Sequence, residues 1–422
     1  MPIFRSSGTD APPVFNERLL LFILAAVQFT HVLDFMIILP LGEDLMRQFS
    51  ITPAQFGQMT AVYSLSAAVV GFCAGFFMDR IPRRGTLLVL YAGFGIFTLA
   101  CAIAPTFGWL VFARAMTGLC GGVASSVVQA MLADVIHPAR RGRGMAIVAA
   151  AFPVAQVLGM PAGLWIGSHF GWHAAFGFLG AVALIVLAVA IYALPPVPSV
   201  RTKETPLRQM QAILTHPIHI RGFVLSAMLL FGGALVAPFM PMAMVKNGGM
   251  SKDDLSLMYF CGGIVVFFST NLFGWLSDRF DKLYVLCGIS VFTIASVTII
   301  TRWVNAPLWV TLIFTTMFFV TMSGRFAPAM SMVANSIAPQ YRGGFMSVNA
   351  SGQQASASLA HITAGWMIME DANGKLVGYG NVGLVAAAAF VITLFLAAWL
   401  RAAAPWAARN DGRGGKAKWM TT

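Results

Sequence analysis

The sequence predicts an all-α membrane protein with twelve transmembrane helices in two similar six-helix bundles. Three observations support this prediction: the composition, the number of apolar stretches and the repetition of charged motifs. The chain has 422 residues, of which 58% are hydrophobic and only 10% are charged, and its mean hydropathy is +0.78. Because soluble proteins carry about 25% charged residues, this composition excludes a soluble globular protein.

The apolar stretches have the length of membrane helices, which need about 20 mainly apolar residues. Twelve stretches meet this requirement: 18–41, 54–77, 86–105, 107–134, 143–168, 173–194, 219–243, 254–276, 283–301, 307–337, 344–368 and 379–401. The longest polar connection follows the sixth stretch, and TPLRQMQAIL within it has the pattern of a short amphipathic surface helix. The predicted organisation is an N-terminal bundle over 1–194, a cytoplasmic linker over 195–218, a C-terminal bundle over 219–401 and a cytoplasmic tail over 402–422.

The basic residues predict the orientation in the membrane. Of the 27 Lys and Arg residues, 20 fall in segments on the side of the chain termini and five on the opposite side, while Arg114 and Arg325 lie within spans. Basic residues mark the cytoplasmic side, so we expect a multi-pass protein of the inner (plasma) membrane of a bacterium, with both termini in the cytoplasm. The net charge of +12 is spread over many short loops, and nucleic acid is therefore not an expected partner.

Enzymatic, metal and cofactor chemistry is not expected. The spans contain no nucleophile–base or metal-ligand set, and the sequence has no ATP-binding G-x-x-x-x-G-K-[ST] motif. The five cysteines are scattered through apolar stretches, where small hydrophobic residues are the ordinary interpretation. We expect a non-enzymatic protein without cofactor or metal, whose energy source is an ion gradient or the gradient of its own substrate.

The two halves repeat each other in sequence. GFFMDRIPRR follows the second stretch and GWLSDRFDKL follows the eighth, so that Asp79 and Asp278 are 199 residues apart. DVIHPARRGRGM and NSIAPQYRGGFM follow the fourth and the tenth stretch, with shared residues such as Ile136 and Ile337 at an offset of 201. Parallel six-helix repeats are the organisation of major facilitator transporters, whose substrate site lies between the halves near mid-membrane.

Four motifs resemble those of the major facilitator superfamily over the whole chain. GFFMDRIPRR is similar to its signature after helix 2, although Pro82 replaces the usual Gly, and RAMTGLCGG, which begins at Arg114, is similar to its helix 4 motif. GWHAAF at 171–176 is similar to a further family motif. The helix 5 stretch GMPAGLWIG looks like the antiporter motif, and its matching residues are Gly159, Pro161, Gly163 and Gly167. The resemblance implies the twelve-helix drug:proton antiporter branch. Small residues permit close helix approach and proline loosens the backbone hydrogen bonds, so we expect the helix 5 residues to serve either motion between the halves or ordinary tight packing.

The resemblance also assigns a role to the charged motif after helix 2. In that family an Asp–Arg–Asp set holds the cytoplasmic ends of the halves together and stabilises the outward-open state. The residues that match this set, here called the latch, are Gly75, Asp79, Arg83 and Asp134, with a second copy at Asp278 and Lys282. Asn335 replaces the third charge of the second copy, which is therefore expected to be weaker. Helical spacing would place Asp79 one turn from Arg83. The alternative is a simple marker of membrane orientation.

Asp34 is the only acidic residue well inside a predicted span. A charge at that depth costs about 2.5–3.5 kcal/mol on insertion scales and indicates function by default. Arg114 lies at a matching depth, roughly 9–12 Å below the outer surface, so the two can pair. We expect Asp34 to carry a proton across the membrane and Arg114 to respond to it, with a purely structural ion pair as the alternative. His31, one turn away, either relays protons or is merely hydrogen-bonded.

Polar residues in other spans predict a substrate cavity between the halves. Arg325 lies near the middle of span 10 and either binds a substrate anion or contacts helix-end carbonyl groups. Span 11 is unusually polar, with candidate lining residues Asn349, Gln353, Ser356 and His361. The weaker candidates are Tyr63, Gln156 and Asn271.

These features predict a secondary transporter, with proton-coupled export of a small amphiphilic drug-like compound or metabolite by alternating access as the leading hypothesis. Uptake of an organic anion and export of a sugar are the alternatives within the same superfamily. A receptor or a lipid scramblase is the alternative from another class, and sodium is the alternative coupling ion. The expected partners are a small-molecule substrate, protons and membrane lipid, and the expected oligomeric state is a monomer.

Overall fold

The computed structural model describes residues 16–77, 81–136, 140–195, 206–302, 306–338 and 341–408. Within these ranges it contains twelve long helices, which confirms the predicted fold class. Nine are continuous: α1 (Glu17–Ile37), α2 (Pro53–Phe77), α3 (Arg83–Ala102), α4 (Phe107–Val135), α6 (Trp172–Ala193), α8 (Lys252–Arg279), α9 (Lys282–Thr301), α11 (Arg342–Met367) and α12 (Tyr379–Ala403).

The other three long helices are interrupted, which the sequence did not predict. Helix α5 consists of Arg141–Ala149, Ala151–Val154, the π-helical turn Ala155–Gly159 and Met160–Phe170. Helix α7 consists of Pro217–Val236 and Met240–Lys246, and α10 consists of Leu308–Gly324 and Phe326–Ser336. Pro161 and Pro241 lie in the first turn of the segments that follow two of these breaks, where a missing N–H is tolerated.

Eleven of the twelve helices in the described ranges are long and apolar enough to cross a membrane. The exception is α11, whose 26 residues correspond to about 39 Å at 1.5 Å per residue, enough for a hydrocarbon core of about 30 Å. It lacks the required hydropathy because of its polar residues, among them Asn349, Gln353 and Ser356. Polar side chains at membrane depth are tolerated where they face protein or water rather than lipid.

Short elements connect the long helices. The helix Gly42–Phe49 lies between α1 and α2, and Pro405–Ala408 follows α12. A two-stranded antiparallel sheet joins β1 (Met369–Glu370) to β2 (Leu376–Val377) between α11 and α12. The helix predicted at TPLRQMQAIL is present as Pro206–Thr215.

The buried core differs between the two ends of the molecule. We call the ends that border the Arg-rich loops after α2, α4, α8 and α10 the basic end, and the opposite ends the distal end. The largest cluster of buried apolar residues lies at the distal end and includes residues of both halves, such as Ile37 and Phe56 from the first and Phe239 and Val382 from the second. Two smaller clusters at the basic end each belong to one half. The halves therefore share a core distally and have separate cores at the basic end.

Contacts between the halves close the distal end. Lys252 Nζ lies 2.7 Å from Asp44 Oδ1, and the rings of Phe56 and Phe239 are 5.6 Å apart. Helices α2 and α11 pack closely here because Gly57 has no side chain, since a Cβ at that position would lie 2.6 Å from the carbonyl oxygen of His361.

Candidate proton and substrate sites

Asp34 and Arg114 form a buried ion pair in the N-terminal half. Asp34 Oδ2 lies 2.7 Å from Arg114 Nη1, which also donates to the Asp34 carbonyl oxygen at 3.3 Å. The Thr98 hydroxyl donates to Asp34 Oδ1 at 3.4 Å. Both charged residues are 0% exposed. The pair predicted from matching depths in α1 and α4 is therefore present, and Thr98 of α3 is an additional partner that no sequence signal indicated.

An aromatic and a histidine side chain extend the ion pair. The guanidinium of Arg114 lies 4.4 Å from the centre of the Tyr63 ring, a distance typical of a cation–π contact. The Tyr63 hydroxyl lies 3.1 Å from His31 Nδ1. Tyr63 therefore lies beside the ion pair and connects Arg114 to His31. One turn from His31, Gln28 accepts a 2.8 Å hydrogen bond from Ser125, so polar groups continue from the pair toward the basic end.

Apolar residues cover the ion pair on its distal side. Ile37, Leu110 and Phe176 are all buried members of the core that the two halves share. The ring of Phe176 also lies 5.9 Å from the guanidinium of Arg114. Asp34 is therefore separated from the distal surface by packed side chains in this state.

Arg325 is a second buried arginine and belongs to the C-terminal half. It is 0% exposed and lies at the break of α10, where its Nη2 donates to the Leu229 carbonyl oxygen at 3.4 Å and to Met322 Sδ at 3.6 Å. Its guanidinium lies 3.9 Å from the centre of the Phe390 ring. Nε and Nη1 have no hydrogen-bond partner among the described residues.

The polar residues of α11 lie along the helix in different surroundings. Gln353 Nε2 donates to Met330 Sδ at 3.6 Å, and Ser356 Oγ donates to the Ala227 carbonyl oxygen at 2.7 Å. Asn349 is 2% exposed and its Oδ1 has no partner within the described ranges. His361 is buried near the distal end, where its ring lies 6.2 Å from that of Phe35 in the other half.

The two remaining cavity candidates lie apart from these groups. Gln156 is buried in the π-helical turn of α5, where Gly263 of α8 packs against it. π-Helical turns often occur at functional sites. Asn271 is exposed, and its side chain donates to the Phe267 carbonyl oxygen of its own helix at 3.3 Å. The structure therefore does not bring Asn271 together with Arg325 or α11.

The glycines of the helix 5 motif pack against α1 within the N-terminal half. A Cβ at Gly159 would meet Leu33, one at Gly163 would meet Ile37 and one at Gly167 would meet Leu41. The three glycines have the four-residue spacing of one helix face. Leu33 and Ile37 have the same spacing in α1, and Leu41 lies in the turn that follows α1. In this state the glycines permit close contact between α1 and α5, and a role in motion stays a prediction.

The structure describes three of the four latch residues of the first half, namely Gly75, Arg83 and Asp134. Arg83 Nε lies 3.2 Å from Asp134 Oδ2, and Gly75 lies in the last turn of α2, whereas Asp79 lies outside the described residues. Arg83 is the first residue of α3 and follows Pro82, which has φ −57° and ψ 119°. The prediction that Asp79 lies one helical turn from Arg83 concerns a residue outside the described ranges and stays a prediction.

In the second copy, Lys282 is buried at the start of α9, and Asp278 lies in the last turn of α8. The sequence reasoning missed a neighbouring ion pair, in which Arg401 Nη2 lies 2.8 Å from Asp281 Oδ2. It also missed the pair between Lys252 and Asp44. These partners are far apart in the chain, so only the fold brings them together.

The long apolar helices and the charges buried among them define a polytopic membrane protein. The chain belongs to the Major Facilitator Superfamily, whose family model matches residues 24–236 and 222–421. This membership confirms the family assignment that the motifs suggested.

Similar proteins with curated names are bacterial transporters. The uncharacterized MFS-type transporter YceJ of Bacillus subtilis is 30% identical over 175 residues, which cover 42% of this chain and 45% of that protein. A "probable sugar efflux transporter" of Helicobacter acinonychis is 24% identical over 58% of this chain and 63% of that protein. The match thus spans less than two thirds of either relative. The uncharacterized MFS-type transporter YbcL of Bacillus subtilis is 22% identical over 89% of this chain and 95% of that protein.

Solved structures show the same fold. A D-xylose–proton symporter has a TM-score of 0.72 at 18% identity and covers 91% of this chain and 97% of its own. A bacterial homologue of the human lysosomal transporter Spinster, in an inward-facing and unoccupied conformation, has a TM-score of 0.63 at 16% identity, with 95% and 98% coverage.

Proposed function

We propose that this transporter exports small amphiphilic compounds in exchange for protons, by alternating access of a central site to the two sides of the membrane. The observation that carries the proposal is the Asp34–Arg114 ion pair, which is fully buried at 2.7 Å. Buried charges inside membrane spans typically mark ion pathways and proton relays. Asp34 is the proton carrier in this mechanism, Arg114 is its counter-ion and His31 is the relay.

The pair can couple protonation to conformation. When Asp34 is ionised, the pair is neutral and the packing of α1 against α4 is stabilised. Protonation removes the negative partner and leaves an uncompensated guanidinium, which is strongly unfavourable in a buried site. The two halves have two arrangements relative to each other. Protonation of Asp34 shifts the population toward the arrangement that better accommodates the unpaired guanidinium. The proton thereby selects between the arrangements of the two halves.

The state of the molecule fits one step of such a cycle. We place the basic end in the cytoplasm of a bacterial cell, because basic residues mark that side. The closed distal end then faces outward, and the separate cores at the basic end correspond to a state that opens inward. The polar groups from His31 to Ser125 lie on the basic side of Asp34, and we assign to them the first part of the path for proton release. The latch residues Arg83 and Asp134 would stabilise the opposite, outward-open state.

The substrate site lies in the second half in this proposal. Arg325 and the α11 residues Asn349, Gln353, Ser356 and His361 supply polar groups that ordinary helix packing does not need. A second candidate function is sugar export, which is supported by the name of the Helicobacter relative and by the amide and hydroxyl groups of α11. Uptake of an organic anion is a third, which the unpaired nitrogens of Arg325 favour.

The test combines a substrate screen with reconstitution. A strain that lacks the protein is screened for toxin sensitivity and for loss of uptake, and each hit is then assayed in proteoliposomes with and without a pH gradient. The expected result is transport that follows the imposed gradient and is accompanied by proton movement in the opposite direction. A transport rate that does not depend on the pH gradient contradicts the proposal. Proton movement in the same direction as the substrate contradicts it as well. A sodium gradient in place of the pH gradient tests the alternative coupling ion.

A further inference from the structure

Three side chains of α7, α10 and α11 donate hydrogen bonds to methionine sulfur atoms. Arg325 Nη2 donates to Met322 Sδ at 3.6 Å. Gln353 Nε2 and Ser226 Oγ both donate to Met330 Sδ, at 3.6 Å and 3.8 Å. A thioether sulfur is only a weak acceptor. The only oxygen acceptor that Arg325 contacts among the described residues is the Leu229 carbonyl group, at 3.4 Å, and its Nε and Nη1 have no partner there.

The charge of Arg325 is also uncompensated. No described acidic residue lies inside a span of the C-terminal half, since the acidic residues of α8 lie in its first and last turns and the others lie in or beside loops. Asp34, the buried carboxylate of the other half, is 2.7 Å from Arg114. Arginine stays protonated in proteins, and an unpaired buried charge is strongly destabilising. Such a charge is expected where a ligand supplies the missing partner.

We infer that Arg325 binds the anionic group of the substrate, and that the substrate is an amphiphilic organic acid. The guanidinium offers a planar pair of donors that matches a carboxylate. The Phe390 ring at 3.9 Å and the side chains of Met322 and Met330 provide apolar contacts for the rest of the molecule. Methionine is flexible and adapts its shape, so a ligand can displace these sulfur atoms from their donors at little cost. The inference rests on the proposed function and narrows its substrate class.

The charge of the substrate bears on the direction of transport. A bacterial plasma membrane is negative inside, and this potential drives an anion outward by about 50-fold in concentration for each charge at 100 mV. Exchange for an entering proton adds a second inward movement of positive charge. An organic anion is therefore a favourable substrate for export and an unfavourable one for uptake without several protons.

Binding to the purified protein tests the inference. The probes are two acid–amide pairs with the same apolar body, 2-naphthoate with 2-naphthamide and 4-phenylbutyrate with 4-phenylbutanamide. We expect the acids to raise the melting temperature of the wild-type protein and the amides to have little effect. Arg325→Gln should weaken acid binding at least tenfold, Arg325→Lys should weaken it less, and Arg302→Gln, an exposed arginine of the same half, should bind as the wild type does.

A second readout separates a binding role from a structural one. Without any anion, Arg325→Gln should melt at a higher temperature than the wild type, because the substitution removes an uncompensated charge. A lower melting temperature would indicate a structural arginine and overturn the inference. It is equally overturned if neither acid stabilises the wild type, if the amides stabilise it as well as the acids, or if Arg325→Gln binds the acids normally.

The proposed proton coupling fails or holds independently of this test. Binding is measured in detergent at a single pH, where no proton gradient exists. Asp34→Asn should therefore still bind the acids in preference to the amides while losing gradient-driven transport. A variant that loses proton coupling but still binds the acids tests the role of Asp34. A variant that loses only acid binding tests the role of Arg325.

Discussion

The carboxylate of Asp34 lies 2.7 Å from the guanidinium of Arg114, and both side chains are shielded from solvent. The two residues come from helices separated by 80 positions in the chain, yet they occupy the same depth in the first bundle. Their pairing balances charges that would be unfavourable alone in a membrane protein interior. Protonation of Asp34 would change the net charge of the pair from zero to +1, and we expect this change to affect both stability and transport.

Asp34→Asn should abolish transport driven by a pH gradient while the protein still inserts into the membrane. The variant cannot ionise, so the pair no longer alternates between charged and neutral states. It should also be less stable by about 3 kcal/mol, because the guanidinium of Arg114 loses its charged partner. Transport assays in proteoliposomes and denaturation in detergent measure these effects. The double variant Asp34→Asn/Arg114→Gln should recover much of the stability but none of the coupling. Full coupled transport by Asp34→Asn would refute its assignment as proton carrier.

His31→Gln should slow coupled transport at least about tenfold if His31 transfers protons, with substrate binding unchanged. Tyr63→Phe keeps the ring beside Arg114 but removes the 3.1 Å contact with His31, so it should slow transport less. Rates measured across a range of pH values, together with binding at one pH, distinguish transfer from positioning. An unaltered rate in His31→Gln would leave only a structural hydrogen bond for this residue.

Lys252→Gln should shift the population away from the state that is closed at the distal end. Lys252 joins the second half to Asp44 of the first, beside a cleft of about 380 Å³ that also includes Gln48 and Trp172. Both partners are partly exposed, so the pair contributes about 0.2–1 kcal/mol and the expected shift is about fivefold at most. Distances between spin labels at the distal ends report the populations. Arg47→Gln is the matched control, because Arg47 contacts Asp44 from within the same helix.

Gly163→Ala should destabilise the first bundle by about 1 kcal/mol, because the new methyl group would collide with the end of the buried Ile37 side chain. The melting temperature in detergent measures the effect. Adding Ile37→Val removes the colliding carbon atom and should restore stability. Gly274→Ala is the control, because a Cβ there meets open space. An equal loss of stability in both alanine variants would point to a general effect of substitution rather than to packing of α5 on α1.

Asp134→Asn should reduce the population of the outward-open state about fivefold, because the latch hypothesis has Asp134 stabilise that state from a partly exposed site. In the present state its partner is Arg83 of the same half, at 3.2 Å. Spin labels at the basic ends of α4 and α10 measure the separation of the halves. Glu17→Gln removes another ion pair at the same end, between Glu17 and Arg140, and should leave the populations unchanged. If the two variants behave alike, the latch assignment is incorrect.

Local sequence properties were sufficient to predict most of the fold. Hydropathy over about 20 residues reflects transfer of each segment into lipid, which is why eleven of the twelve predicted stretches agree with helices that are apolar enough to cross a membrane. The interruptions at the π-helical turn of α5 and at Arg325 were not predictable in this way. They depend on what packs beside the helix, such as Gly263 against Gln156, and apolar composition is the same on both sides of such a break.

The sequence by itself determined the membrane class, the twofold repeat, the family and the depth of the buried charges, because each is a property of composition or of position along one helix. The tertiary structure alone decided which charges have partners. It placed Thr98 and Tyr63 beside the Asp34–Arg114 pair and joined Lys252 to Asp44. It left two nitrogens of Arg325 without a partner among the residues that the structure describes. The physical reason is that hydrogen bonds and ion pairs require atoms within about 3 Å, and such distances between distant segments exist only once the helices have packed.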